Sequence, residues 1–145
     1  MDRRLQIVID AHDPRALGAF WAQALGYVED PPPPGYDTWE DALRGWGLPE
    51  ERWNDAYAVV DPAGVGPRVY LQKVPEDKVV KNRVHLDVGL PGGGERGAGP
   101  DRDAIRARSV ELQALGARHV QEFDADAQGF WIVMQDPEGN EFCLV

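Results

Sequence analysis

The chain has 145 residues, 43% of them apolar and 28% charged, which suits one compact domain with a sizeable core. A formal net charge of −10 excludes nucleic acid and anionic membrane as partners, since both require basic patches. A single cysteine, Cys143, cannot form an internal disulfide, and the LQIVI run is too short for a leader or a membrane span, so the expected location is the cytoplasm.

In chain order, LQIVIDA (residues 5–11) alternates as a strand and runs into Asp13 and Pro14, a helix cap and a favoured first helical residue. Leu17, Phe20, Trp21, Ala24 and Leu25 then repeat at helical spacing on one face, and Gly26 in LGY ends the helix. A segment over residues 31–55 opens with PPPP and carries Tyr36, Trp39, Trp46 and Trp53 around a short helix. Two readings stand for it: packing of an added helix, or a lid that stacks on a planar ligand. YAVVDPAGVGPRVYLQKV follows as strand, AspProXaaGly turn and strand.

From Arg83 the pattern returns. RVHLDVGL reads as a strand, residues 89–100 as a flexible loop, and Pro100 or Asp101 as the start of a helix with Ile105, Ser109, Leu112 and Leu115 inward. LGA closes that helix, Arg118 to Phe123 forms a strand, and FWIVMQDPEGNEFCLV repeats the strand–turn–strand. The chain is thus an α+β fold of two βαβββ modules, residues 1–80 with the insert at 31–55, and residues 81–145.

The tandem βαβββ repeat, LG after each helix, NRVHLDV and DPEGNEFCL together resemble the vicinal oxygen chelate superfamily of glyoxalase, bleomycin-resistance and extradiol-dioxygenase relatives, in its glyoxalase-like branch. The resemblance spans essentially the whole chain. It implies a curved mixed sheet forming a cleft, and a metal-ligand position on the first and last strand of each module. Those positions map onto Gln6, Gln72, His85 and Cys143.

Strand alternation places Leu5, Ile7, Ile9, Val69, Leu71, Val84, Leu86, Val88, Phe142 and Leu144 on the helix side. It leaves Gln6, Val8, Tyr70, Gln72, His85, Glu141 and Cys143 toward the cleft, with Asp10 and Asp87 as rim charges. Metal-dependent relatives carry carboxylates where Gln72 and Cys143 stand, and hard cations prefer carboxylates and water. No cofactor is therefore expected, and a divalent metal held by His85, Gln6, Gln72 and Cys143 is the alternative.

The resemblance then implies a protein that binds or acts on a hydrophobic or aromatic small molecule without a tightly bound metal. It would sequester its ligand, or use His85 as acid/base in lyase- or isomerase-like chemistry, with Gln6, Gln72, Cys143, Tyr70, Trp39, Trp46 and Trp53 as binding residues. The alternative is a metal-dependent lyase, isomerase or dioxygenase, and a third class is an interaction domain with a packed cleft. The expected partners are a small-molecule ligand and, in a homodimer, a second copy of the chain. Against these readings, His85 also suits a structural histidine, and Cys143 a small buried hydrophobe. His12 reads as a surface residue, His119 as one without an evident partner, and Arg102, Arg106 and Arg108 as a solvated face. The GxGxxG of Gly92, Gly94 and Gly97 reads as a linker, not a dinucleotide fingerprint.

Overall fold

The computed structural model describes residues 3–90, 99–125 and 129–145. Gly92, Gly94 and Gly97 lie outside the described residues. The chain forms two compact units, Met1–Glu76 and Asp77–Val145. The first contains β1 (Gln6–Ala11), α1 (Pro14–Leu25), β2 (Val28–Glu29), β3 (Ala56–Val60) and β4 (Arg68–Lys73), with α2 (Trp39–Gly45) and a 3₁₀ turn (Glu50–Arg52) between β2 and β3. The second contains β5 (Asp87–Val88), α3 (Arg102–Ala114), β6 (Arg118–Asp124), β7 (Phe130–Gln135) and β8 (Glu141–Leu144).

Both units follow one connectivity. The sheets run β1-β4-β3-β2 and β5-β8-β7-β6. The first strand of each lies parallel to the last, as a helical crossover requires, and the remaining pairs are antiparallel. The mixed α+β repeat read from the sequence is the repeat that forms.

Helix α1 starts because the Asp13 carboxylate accepts from the Ala16 N–H at 3.1 Å and Pro14 takes the first turn. It stops at Gly26, where φ is +69°. Leu17, Phe20, Trp21 and Ala24 are buried, and so are Val59, Val69 and Leu71 of the sheet. Each fully buried Leu- or Phe-sized side chain stabilises by roughly 2 kcal/mol. In the second unit Ile105 and Leu112 of α3 cover Phe130, Ile132, Met134, Phe142 and Leu144, all buried. Both AspPro turns are held by their aspartates. Asp61 accepts from the Ala63, Val65 and Gly66 N–H groups, and Asp136 from Glu138, Asn140 and the Asn140 amide.

Four expectations need correction. Strand β5 is only Asp87–Val88, not residues 83–90, and Val84 is 81% exposed instead of packed. The parallel register Asp87↔Cys143 sets residue 83 opposite Gly139, inside the Asp136 turn, so β8 has no ladder to offer there. Leu5 is exposed because β1 begins one residue later. Leu115 is half exposed because α3 ends at Ala114, which takes Leu115 off the inner stripe. His119 has a partner, the Ser109 hydroxyl at 3.3 Å from its Nδ1.

Arg102 and Arg106 are exposed, as expected of a solvated face, and Arg108 is half-buried. Arg102 and Arg106 pair with Asp124 and Glu122 and lie over the Phe130 ring. His12 is a surface residue and meets the Glu76 carbonyl. No described helix is long and apolar enough to cross a membrane.

Candidate functional site

Period-two alternation divides each sheet into two faces. In the second unit Ile132, Met134, Phe142 and Leu144 face α3 and are fully buried. Trp131, Val133, Gln135, Glu141 and Cys143 therefore point to the opposite, open face. Register aligns Asp87, Cys143, Val133 and Gln121 as one row across the four strands. Trp131 extends the apolar part of that face by stacking on Phe123, with ring centroids 5.1 Å apart.

His85 lies two residues before Asp87 and falls on the same side. Its Nε2 is 3.8 Å from Asp87 Oδ1, beyond hydrogen-bond length but within ion-pair range. Among the described residues, His85, Asp87 and Cys143 form the one cluster able to hold a metal, with their ligand atoms all within 4.8 Å of one another. His85 and Asp87 are exposed, whereas Cys143 is 7% exposed. Burial pushes the Cys143 thiol up, and the Asp87 charge and a hydrogen bond to that carboxylate push it further, against a weaker opposing pull from Lys81. At neutral pH Cys143 is a protonated thiol.

Below this cluster Glu141 organises the approach to β5. It accepts from the Asn82 N–H at 2.9 Å and pairs with Lys78 at 3.2 Å. Burial raises the Glu141 carboxyl, but the Asn82 and Glu141 N–H groups, Lys78 and Gln135 outweigh it and bring it to about 2. The segment leading to His85 is thus pinned to β8 by a charged contact, without strand pairing.

The four-position set splits. His85 and Cys143 come together, but Gln6 and Gln72 do not meet each other. Gln6 is opposite Arg68 and Gln72 opposite Asp10, four register steps apart. At ~3.3 Å per residue that is about 13 Å. Gln6 accepts from Arg68 at 2.8 Å, and Gln72 donates to Asp10 at 3.1 Å. Tyr70 stands between them opposite Val8, beneath the Arg68 guanidinium at 5.3 Å. Gln6 also borders an open hollow of about 610 Å³ with Arg3, Arg4, Val65 and Arg68.

The tryptophans of the insert spend their polar atoms locally. Trp39 donates to the Asp30 carbonyl at 2.6 Å and Trp53 to the Leu48 carbonyl at 2.8 Å. Trp46 meets Trp39 and Tyr36 edge-on and is 57% exposed. The insert is tied to the start of α1, through Asn54 to Asp13 at 2.8 Å and Glu40 to Arg15 at 3.3 Å.

Sequence reasoning placed Asp87 at the rim, and the structure sets it beside Cys143. The signal was the His–Xaa–Asp alternation, which needed the parallel register to be read. Arg68, which joins Gln6 to Asp30, was not singled out at all.

Comparison with known proteins agrees with this architecture. Residues 6–145 match the family described as Glyoxalase-like domain. No curated protein matches the chain. Among solved structures, a glyoxalase/bleomycin resistance protein/dioxygenase family enzyme from Burkholderia phytofirmans is 14% identical with TM-score 0.61, covering 96% of this chain and 94% of that one. The fosfomycin resistance protein FosX from Listeria monocytogenes is 12% identical with TM-score 0.61, covering 99% and 92%. A point mutant of that Listeria protein, complexed with Mn(II) and 1S,2S-dihydroxypropylphosphonic acid, is 14% identical with TM-score 0.60, covering 99% and 90%. At these identities the structures speak for the fold, and the family match extends over nearly the whole chain. The chain belongs to the glyoxalase-like domain family.

Proposed function

We propose that the protein binds or acts on a hydrophobic or aromatic small molecule over the open face of the second sheet, with His85 as its acid–base group and no tightly bound metal. The observation that carries this reading is the His85–Asp87 pair at 3.8 Å, exposed at the edge of a face that also bears Val133 and the Phe123–Trp131 stack. Nε2 is the ring nitrogen turned to Asp87, which leaves Nδ1 to exchange a proton with a ligand. The Asp87 carboxylate lies within ion-pair range of that ring. Trp131 and Phe123 supply flat apolar surface for an aromatic ligand. A lyase- or isomerase-like proton shuttle needs no more than this, and sequestration needs only the apolar face.

The Mn(II) of the Listeria relative raises the question of a metal here. Manganese favours carboxylate, carbonyl and water oxygens. The cluster offers one carboxylate, one imidazole and one protonated thiol, and the Gln6 and Gln72 amides stand about 13 Å apart along their strands. That donor set does not fit a manganese-type ion. A metal-dependent reading retains one supporting observation, the three ligand atoms within 4.8 Å.

Thermal-shift and tryptophan-fluorescence screening of aromatic alcohols, aldehydes and carboxylates tests the proposal. A ligand should raise the melting temperature and quench Trp131. His85→Ala should retain binding within a fewfold and lose turnover of any compound that is converted. Trp131→Ala with unchanged affinity would remove the apolar face from the proposal. Turnover unchanged in His85→Ala would remove the acid–base role.

A further inference from the structure

We propose that the hollow beside the starts of β1 and β4 is a second binding site, for a small organic anion with an oxyanion head, carboxylate or phosphate, on a compact apolar body. It lies wholly in the first unit and shares no residue with the open face that carries His85.

The parallel pairing of β1 with β4 makes the place. Gln6 is the register partner of Arg68, so residues 3–5 enter β1 beside the turn that enters β4. Between them opens a space of about 610 Å³, within the range of small-molecule pockets. Asp61 fixes the turn, accepting from the Ala63, Val65 and Gly66 N–H groups at 2.9, 3.0 and 2.7 Å. Arg68 is fixed as well. Its Nε and Nη2 donate to Asp30 at 2.9 and 2.7 Å, and its Nη1 donates to Gln6 at 2.8 Å. Among the described residues these bonds occupy three of the five N–H groups of the guanidinium, which leaves two for a ligand.

Charge sets the hollow apart from the rest of an acidic chain. Arg15, Arg44, Arg52, Arg102, Arg106 and Arg108 each pair with a carboxylate. Arg3 and Arg4 border the hollow with no side-chain hydrogen bond or ion pair among the described residues. Asp30 neutralises Arg68, and the Asp61 carboxylate is engaged by its own turn. Two unpaired guanidiniums therefore face one engaged carboxylate. Guanidinium forks match carboxylate and phosphate oxygens, and more distant charges are screened beyond about 10 Å. The walls call for an apolar body. Leu5 and Val65 are 72% and 88% exposed, and both line the hollow with half-buried Val60. Covering them would remove apolar surface from water, which is favourable roughly in proportion to area.

The test uses the untagged full chain, with phenyl phosphate and benzoate as probes and phenol and benzylamine as their neutral and cationic counterparts. In calorimetry both anions should bind once per chain, phenyl phosphate severalfold the tighter for its second charge. Phenol and benzylamine should bind on the order of tenfold more weakly or less. Raising NaCl from about 50 to about 500 mM should weaken phenyl phosphate severalfold. Arg3 and Arg4 are exposed and lie outside every described helix and strand. Replacing both, Arg3→Ser with Arg4→Ser, should weaken phenyl phosphate by on the order of tenfold or more, with the melting temperature of the free protein unchanged. In methyl spectra the Val60 and Val65 signals should shift on binding, and those of Val133 should not. No binding of either anion at about 10 mM, phenol binding as tightly as phenyl phosphate, or unchanged affinity in the double variant would overturn the site. Inorganic phosphate binding as tightly as phenyl phosphate would overturn the assignment of an organic ligand. Shifts at Val133 with none at Val60 and Val65 would overturn the hollow and place the anion on the open face of the second sheet.

Discussion

Cys143 shows how one residue changes meaning with its surroundings. Strand alternation put it on the open face, and it is there, yet it is only 7% exposed. Burial is the largest influence holding its proton, with the Asp87 carboxylate adding to it. A thiol so held is a poor nucleophile, since the thiolate is the reactive form. Cys143 should therefore react with iodoacetamide well below the rate of a free thiol at pH 8. Asp87→Asn should speed the reaction severalfold by removing the negative charge, while leaving it slower than a free thiol because burial remains. Alkylation at the free-thiol rate in the parent chain would contradict the buried placement. His85 and Cys143 were legible as candidates because alternation depends only on neighbours in sequence. The failure of Gln6 and Gln72 to meet was not legible, because register between β1 and β4 is set by the whole sheet.

Among the elements, α1 was readable in full, since its cap, apolar stripe and terminating glycine are all local signals. Strand β5 was not, because a strand is only as long as its partner allows, and in its register the Asp136 turn leaves residues 83 and 84 without one. The aromatic insert was half legible. Its short helix was foreseen, but the sequence could not say that two of its indoles donate to backbone carbonyls. Gly18 was passed over as well, although it sets the spacing of the first unit. A Cβ there would lie 2.2 Å from Tyr57 Cδ1 and 3.2 Å from Leu71 Cδ1. Alanine normally gains about 1 kcal/mol over glycine within a helix. Here the overpacking cost of about 1–3 kcal/mol acts against that gain, because the contact falls on the body of the Tyr57 ring. Gly18→Ala should lower stability in urea, and a Tyr57→Ala, Gly18→Ala double variant should show a smaller penalty from the Gly18 change. A stabilised Gly18→Ala would mean that α1 sits farther from β3 and β4.

At the scale of the whole molecule, a net charge of −10 and a set of perturbed carboxyls pull stability in opposite directions as pH falls. Protonation relieves the mutual repulsion of an acidic chain, which favours the folded state. Against this, five carboxyls among the described residues sit below their ordinary values. Asp13 is held down first by Asn54, Asp61 by the Gly66 N–H, Glu122 by Arg106 and Asp124 by Arg102. Glu141 reaches about 2 despite the opposing effect of burial. A carboxyl depressed by folding contributes stability above its unfolded value, and that stability is lost as pH falls toward the folded one. For Glu141 the window runs from about 4.5 down to about 2. Cys143, Tyr27 and Tyr57 are raised by burial, so their contribution is present below their ordinary values of 9.0 and 10.0 and is lost on the alkaline side. The specific contacts should win over diffuse repulsion, because repulsion between exposed charges is screened within about 10 Å at ordinary salt. The urea midpoint should be flat between about pH 5 and 8 and fall on both sides. Glu141→Gln should cost about 2 kcal/mol at pH 7 and make the acid limb shallower. A midpoint that rises from pH 5 to 3, together with a strong gain from added salt at pH 7, would show that repulsion dominates instead.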